Sequence, residues 1–283
     1  MGNPVEAFTL SALDGYPLAA TLYPAEQDEC RLLIASAAGT PQGYYRRFAE
    51  FARQQGFTAL TLDYRGIGKS HPGDLRGQKM SIMDWANQDL AAAIDYLHDP
   101  QRPLYMVGHS LGGHAFGLLP NHAKVAGLYT FGTGAGWHGW MPPLERLRVW
   151  TMWQVFAPLI ARRKGYLAWR SLGMGEDLPL GAYEQWRRWC SFPRYYLDDP
   201  LFPEAADLLA QVTSPIMAAN ALDDAWALPR SRDAFMPGYL NAPWQVVDID
   251  PQRVSTRKIG HMGYFRSHAE PLWVDALNWF RTL

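Results

Sequence analysis

Leu104-Tyr-Met-Val-Gly-His-Ser-Leu-Gly-Gly113 is the stretch that decides the fold. Four apolar residues read as a buried strand, Gly108-His-Ser-Leu-Gly112 as a tight turn, and the residues that follow as the start of a helix. This is the G-x-S-x-G pattern of a strand–turn–helix elbow, in which the serine sits in strained backbone with its hydroxyl exposed at the top of a sheet. Gly108 and Gly112 leave room for the neighbouring strand and helix. The amide of Leu111 points to the same place as the hydroxyl of Ser110. A helix-capping serine in a packed turn would carry a similar pattern, so the rest of the chain has to discriminate.

Outward from the elbow, strands and helices alternate. Val5–Leu10 and Pro17–Tyr23 read as strands joined by a Leu13-Asp-Gly15 turn. Arg31–Ala37, Phe57–Leu62, Leu104–Val107, Lys124–Phe131, Ile216–Ala221 and Gln245–Ile249 follow as strands. Tyr44–Gln55, Ser81–His98, Ser110–Leu119 and Pro271–Leu283 have helical spacing, with Ser81 and Asp84 placed as a capping box. This rhythm predicts an α/β fold with a mostly parallel sheet covered on both faces. Ligands of such sheets bind beyond the carboxyl ends of the strands.

The rhythm breaks between about 132 and 209. Seven of the twelve tryptophans fall there: Trp137, Trp140, Trp150, Trp153, Trp169, Trp186 and Trp189. The expected organisation is a core of 1–131 and 210–283 with a helical, aromatic-rich cap at 132–209. Most of these rings have to form the cap's own core, leaving two or three to line a pocket.

A serine hydroxyl needs a base to act as a nucleophile at neutral pH. His261, in Gly260-His-Met-Gly263 just before the last helix, is placed to be that base. His109 is expected to pack under the elbow, whereas His114 and His138 lie where they can approach a pocket. A carboxylate that orients the base comes from the end of Ser214–Asp224, where Asp224 is favoured and Asp223 is the alternative that would cap the turn. The chain order is then Ser, Asp, His. Two amides have to meet the oxyanion: Leu111, and one from the loop after Arg31–Ala37, with Ala38 chosen and Ala37 to Thr40 open.

Four motifs carry a family resemblance: Gly108–Gly113, Asp63-Tyr-Arg-Gly-Ile-Gly-Lys-Ser70, Asp223-Asp224 and Gly260–Gly263. With them the chain resembles the α/β-hydrolase-fold serine hydrolases. Within these it is similar to bacterial α/β hydrolases of the monoacylglycerol-lipase and serine-aminopeptidase-like branch. Tyr44–Ala49, Gly173–Pro179 and His261–Phe265 are the segments closest to that group. The resemblance implies Ser110 as nucleophile, His261 as base, Asp224 as orienter, and oxyanion amides from Leu111 and the Ala38 region. Many relatives carry His-Gly where this chain has Ser36-Ala37, which alters the setting of the second donor. Asp63–Ser70 is expected to shape the floor of the site.

The expected reaction is cleavage of a small to medium apolar carboxylic ester through an acyl-enzyme. Thioester or amide cleavage, N-terminal peptide cleavage and acyl transfer use the same groups. A peptidase would need acidic residues facing the substrate's ammonium, for which Glu145, Glu176, Asp177 and Glu184 are available. A non-catalytic small-molecule-binding protein on the same scaffold is the alternative of another class. The chemistry calls for no metal and no organic cofactor.

Composition agrees with an enzyme of small molecules. Net charge is −1 with both signs dispersed, which gives no nucleic-acid footprint. Cys30 and Cys190 are expected as free thiols. No basic-then-apolar leader, membrane span or stable membrane anchor is visible in the sequence, so a cytoplasmic protein, monomeric or homodimeric, is expected.

Overall fold

The computed structural model describes residues 4–254 and 257–283. Ten strands follow in chain order: β1 Glu6–Ser11, β2 Pro17–Tyr23, β3 Cys30–Ala35, β4 Phe57–Leu62, β5 Leu104–His109, β6 Gly127–Phe131, β7 Tyr166–Leu167, β8 Leu178–Pro179, β9 Ile216–Ala221 and β10 Trp244–Ile249. Eight of them form one sheet, in the order β1-β2-β4-β3-β5-β6-β9-β10. β2 runs antiparallel to β1 and to β4, and every later pair is parallel. β7 and β8 form a separate antiparallel ribbon.

The central strands are apolar on both sides because helices cover both faces. Successive side chains of a strand point to opposite faces. Leu33 and Ala35 therefore join one core, with Trp85, Leu90, Ile94 and Met106. Leu32 and Ile34 join the other, with Phe48, Val107, Trp273 and Phe280. Trp85 is fully buried, stacks on Tyr64 at 5.2 Å between centroids, and donates its indole N–H to the Arg65 carbonyl. Truncating a ring so placed costs about 3–5 kcal/mol.

The helix expected over Ser81–His98 starts with the Ser81/Asp84 capping box and then takes a π-helical turn at Trp85–Leu90 before ending at Leu97. That turn faces Asp89 to Arg65. Asp89 accepts from the Arg65 amide and guanidinium, and Asp14 holds the other side of the same guanidinium. Other segments differ from expectation by a few residues. The helix after the elbow is short, Leu111–Ala115, and tightens to a 3-10 turn at Phe116–Leu118. The strand expected from Lys124 begins at Gly127, because His122–Lys124 forms a 3-10 turn.

Between β6 and β9 the chain is mainly helical. Pro143–Thr151, a π-helical turn Met152–Phe156 and Ala157–Lys164 run on continuously. Leu180–Trp189 and Ala205–Ala210 follow, the last spanning the expected boundary at 209/210. Trp153, Trp169 and Trp186 pack edge to face or tilted at 5.0–6.2 Å, and Trp189 packs on Tyr195, Tyr196 and Phe202. Leu144, Leu147, Phe156 and Leu159 remain outside. No helix of the described residues is long and apolar enough to cross a membrane.

Register brings the site's pieces to one edge. Ala35 pairs with Gly108, His109 with Phe131, and Phe131 with Ala219. The loops that leave β3, β5, β6 and β9 therefore open side by side at the carboxyl ends of the strands.

Candidate active site

Ser110 follows β5 and has φ 51° and ψ −110°, a backbone conformation that costs a non-glycine residue about 1–3 kcal/mol. Close packing fixes the turn. A Cβ on Gly112 would meet the Ala35 carbonyl oxygen at 2.2 Å, and one on Gly108 would meet the Gly113 nitrogen at 2.5 Å. The Ser110 carbonyl accepts from the amides of Gly113 and His114 and from the Thr133 hydroxyl, which completes the elbow.

The structure brings Ser110, His261 and Asp224 together. Ser110 Oγ is 3.0 Å from His261 Nε2, and His261 Nδ1 is 2.9 and 3.1 Å from the Asp224 carboxylate oxygens. A carboxylate only accepts, so Nδ1 carries the proton and the bare Nε2 faces the hydroxyl. Asp224 is fully buried. Burial pushes its carboxyl up, but the neighbouring imidazole, the Tyr264 hydroxyl and the Ala227 amide outweigh that, and the net direction is down.

Asp223 does a different job. Its oxygens accept from the amides of Ile259 and Gly260, both at 3.0 Å, and so clamp the loop that carries His261. The turn-capping role expected for it is thus exercised on a distant loop. Tyr264, protonated because burial raises its pKa well above normal, bridges the Ala221 amide and Asp224.

His109 lies under the elbow, as expected, and its bonds extend further than the sequence indicates. The Ala37 N–H donates to Tyr45 Oη, Tyr45 O–H donates to His109 Nδ1, and His109 Nε2–H donates to the His261 carbonyl. Burial drives the His109 pKa down to about 3, which keeps the ring neutral and able to play both parts. The Tyr44 hydroxyl adds a bond to the Met262 carbonyl.

This network bears on the loop after β3. The Ala37 amide is committed to Tyr45 and the Thr40 amide to the Ala37 carbonyl. Of the four residues left open by the sequence, Ala38 and Gly39 have amides with no protein acceptor among the described residues. Leu111 opens its helix, so its N–H has no intrahelical partner. The loop is held from outside by Glu176, whose amide donates to the Gly39 carbonyl. Gly39, at φ +64°, also has the Glu176 carbonyl 3.2 Å from where a Cβ would stand. Asp63, in the segment expected to form the floor, accepts from the amides of Gln42 and Lys69 and ties that loop down.

A small, partly open chamber of about 20 Å³ lies over Ser110, lined by Leu111, His114, Trp153, Trp186, Cys190, Tyr195, Trp226 and His261 among others. His138 is not part of it. Two tryptophans of the inserted stretch border it, within the expected number, and Trp226 joins them from the turn after β9. The Trp226 indole lies over the His261 ring, 5.9 Å between centroids and tilted 27°, and donates to Glu145. Trp226 carried no periodic signal in the sequence; only its place two residues after Asp224 pointed to the site.

Sequence comparison with curated proteins yields no match. Among solved structures, a soluble variant of monoglyceride lipase from Saccharomyces cerevisiae, in complex with a substrate analogue, matches with TM-score 0.67 and 15% identity over 99% of this chain and 95% of its own. A thermophilic esterase from Thermogutta terrifontis matches with TM-score 0.59 and 17% identity over 98% of each chain. The esterase domain of a Rhodothermus marinus protein matches with TM-score 0.59 and 16% identity over 99% of each. At these identities the likeness is one of fold. The sequence profile of the alpha/beta hydrolase family matches residues 32–272, most of the chain. The chain therefore belongs to the alpha/beta hydrolase family.

Proposed function

We propose that this hydrolase cleaves carboxylic esters through an acyl-enzyme on Ser110, with His261 as general base and acid and Asp224 as the residue that orients and stabilises the imidazolium. The observation that carries this reading is the unbroken line Ser110 Oγ–His261 Nε2 at 3.0 Å and His261 Nδ1–Asp224 at 2.9 Å. His261 takes the hydroxyl proton as Ser110 Oγ bonds to the ester carbonyl carbon, and the carbonyl electrons move to oxygen. The amides of Leu111 and Ala38 meet that oxyanion. Collapse breaks the bond to the alkoxy group, which leaves with the proton from Nε2. Water, deprotonated by the same nitrogen, then releases the acid.

Residues 132–209 act in this reading as a cap over a core of 1–131 and 210–283. Trp153 and Trp186 from that stretch line the chamber, which favours an apolar group next to the reacting carbonyl. The void of about 20 Å³ holds about one water, so an acyl chain longer than the reacting carbonyl extends through its open side or displaces these rings.

Three of the four acidic residues available to a peptidase are engaged with other groups. Glu145 binds Trp226 and Arg148, Glu176 pairs with Arg170, Asp177 accepts from the Arg170 amide, and Glu184 is exposed. None lines the chamber over Ser110, and Glu145, which borders the open groove beside His261, is engaged by Trp226 and Arg148, which favours an ester over a substrate with a free ammonium. The substrate partner is a small molecule.

The test uses p-nitrophenyl acetate through octanoate with the wild type and Ser110→Ala. The expected result is turnover by the wild type and a loss of several orders of magnitude in the variant. Equal rates in the two proteins contradict the proposal.

A further inference from the structure

The chamber over Ser110 contains two buried polar side chains that the triad does not use. His114 is one helical turn beyond Ser110, is 5% exposed, and its Nδ1 has no hydrogen-bond partner. Tyr195 is 1% exposed, and its hydroxyl has none either. Both line the same chamber as Ser110 and Leu111, with ring centroids 4.4 Å apart. Buried polar groups are nearly always satisfied, and one left bare is a cost to the folded state. Two such groups bordering one chamber next to a nucleophile need a common explanation.

Their chemistry is complementary. His114 Nε2 lies 2.9 Å from the Gly134 carbonyl, which can only accept, so Nε2 carries the proton and Nδ1 is a bare acceptor. Tyr195 supplies an O–H donor. Its backbone lies at φ 61°; apart from Ser110 it is the one non-glycine residue with positive φ among those described. The fold thus tolerates backbone strain at the serine and at this tyrosine alike, and strain of that kind persists where the surroundings over-determine a position.

We propose that His114 and Tyr195 form a polar subsite that binds a hydroxyl group of the substrate, so that the preferred esters are hydroxylated ones. The hydroxyl donates to His114 Nδ1 and accepts from Tyr195 O–H, and both orphaned atoms become paired. A carboxylate is rejected, since it has no proton for Nδ1. Burial also holds the His114 pKa at about 3, so the ring does not become a cation that would welcome one. A deoxy ester is disfavoured because it leaves both protein groups bare, and sites built to bond a hydroxyl discriminate strongly against the analogue without it. This inference rests on the ester-hydrolase reading and narrows it.

The experiment measures kcat/KM for ester pairs that differ by one hydroxyl. One pair places it in the acyl half, p-nitrophenyl 3-hydroxybutanoate against p-nitrophenyl butanoate. The other places it in the alcohol half, 3-hydroxypropyl butanoate against propyl butanoate, followed by acid release. Wild type, Tyr195→Phe and His114→Phe are compared, and fluorophosphonate labelling of Ser110 is followed in each. The expected result is a preference of at least about tenfold for the hydroxylated member of one pair, falling close to one in both variants. Tyr195→Phe removes a single oxygen and decides the matter alone if His114→Phe does not fold. Equal use of both members by the wild type, or an unaltered preference in Tyr195→Phe, overturns the subsite and leaves the pair as holders of a water molecule. In that case labelling of Ser110 and turnover of the plain esters persist. Loss of labelling and of all ester turnover in the wild type instead removes the hydrolase reading and the subsite with it.

Discussion

His109 Nε2 lies 2.9 Å from the carbonyl oxygen of His261, so the residue before Ser110 holds the backbone of His261. The same ring accepts from Tyr45, which in turn accepts from Ala37. One buried imidazole thereby sets the spacing between the elbow, the loop of His261 and the loop after β3.

Replacing that imidazole by phenyl keeps the ring's bulk and removes both bonds. In His109→Phe, kcat for p-nitrophenyl butanoate is expected to fall about 10- to 100-fold, since displacement of a catalytic group by about 1 Å costs that much. KM is expected to change little, because the ring does not line the chamber. Steady-state kinetics check this; an unaltered kcat would show that the loop of His261 holds its place without the tie.

The backbone of Ser110 stores strain that serves presentation of the hydroxyl and not stability. Ser110→Gly is expected to be about 1–2 kcal/mol more stable than Ser110→Ala, as glycine has no penalty at positive φ. Urea unfolding of the two variants measures the difference. Equal midpoints would contradict the assignment of strain to this residue.

Arg65 is nearly buried and pairs with the fully buried Asp89 on one side and with Asp14 on the other. Arg65→Met leaves the Asp89 carboxylate without its partner in an apolar setting, and a loss of about 3–5 kcal/mol is expected. Arg65→Met combined with Asp89→Leu is expected to recover most of it, because the uncompensated charge has gone. Denaturant titration of the single and double variants tests both statements.

Two buried neutral imidazoles make stability depend on pH. The pKa values of His109 and His114 are pushed down to about 3 by burial, whereas an unfolded histidine titrates near 6.5. Between these values the unfolded chain binds more protons, so stability rises with pH across the window and levels off above about 6.5. At pH 5 each ring accounts for a loss of up to about 2 kcal/mol relative to pH 7.5. Unfolding free energies at the two pH values check this: between pH 7.5 and 5 the wild type is expected to lose up to about 2 kcal/mol more than His114→Phe.

The parts of the site that were legible in the sequence are those set by local geometry. The elbow announces itself because strand, turn and helix follow within ten residues and the glycines mark the close contacts. The order of Ser110, Asp224 and His261 and the positions of Ser110 and Asp224 just beyond strands were readable for the same reason, whereas His261 lies in the loop before the last helix. The division of labour between Asp223 and Asp224 was not. Adjacent carboxylates in a turn look alike until tertiary structure turns one toward Tyr264 and His261 and the other toward the amides of Ile259 and Gly260. The choice among Ala37 to Thr40 also stayed open, because what removes Ala37 is a tyrosine eight residues on. The bond from Glu145 to Trp226 joins residues 81 positions apart and leaves no trace in spacing. Likewise β7 and β8, two residues each, are too short for any periodicity.

In the proposed reaction the hydroxyl of Ser110 attacks a carbonyl whose oxygen is received by the amides of Leu111 and Ala38. Crystallography of the protein after reaction with an alkyl phosphonate ester measures this directly. The expected result is a covalent bond from Ser110 Oγ to phosphorus, with the phosphoryl oxygen within about 3 Å of both amide nitrogens. An unmodified Ser110, or an adduct whose oxygen points away from both amides, would contradict it.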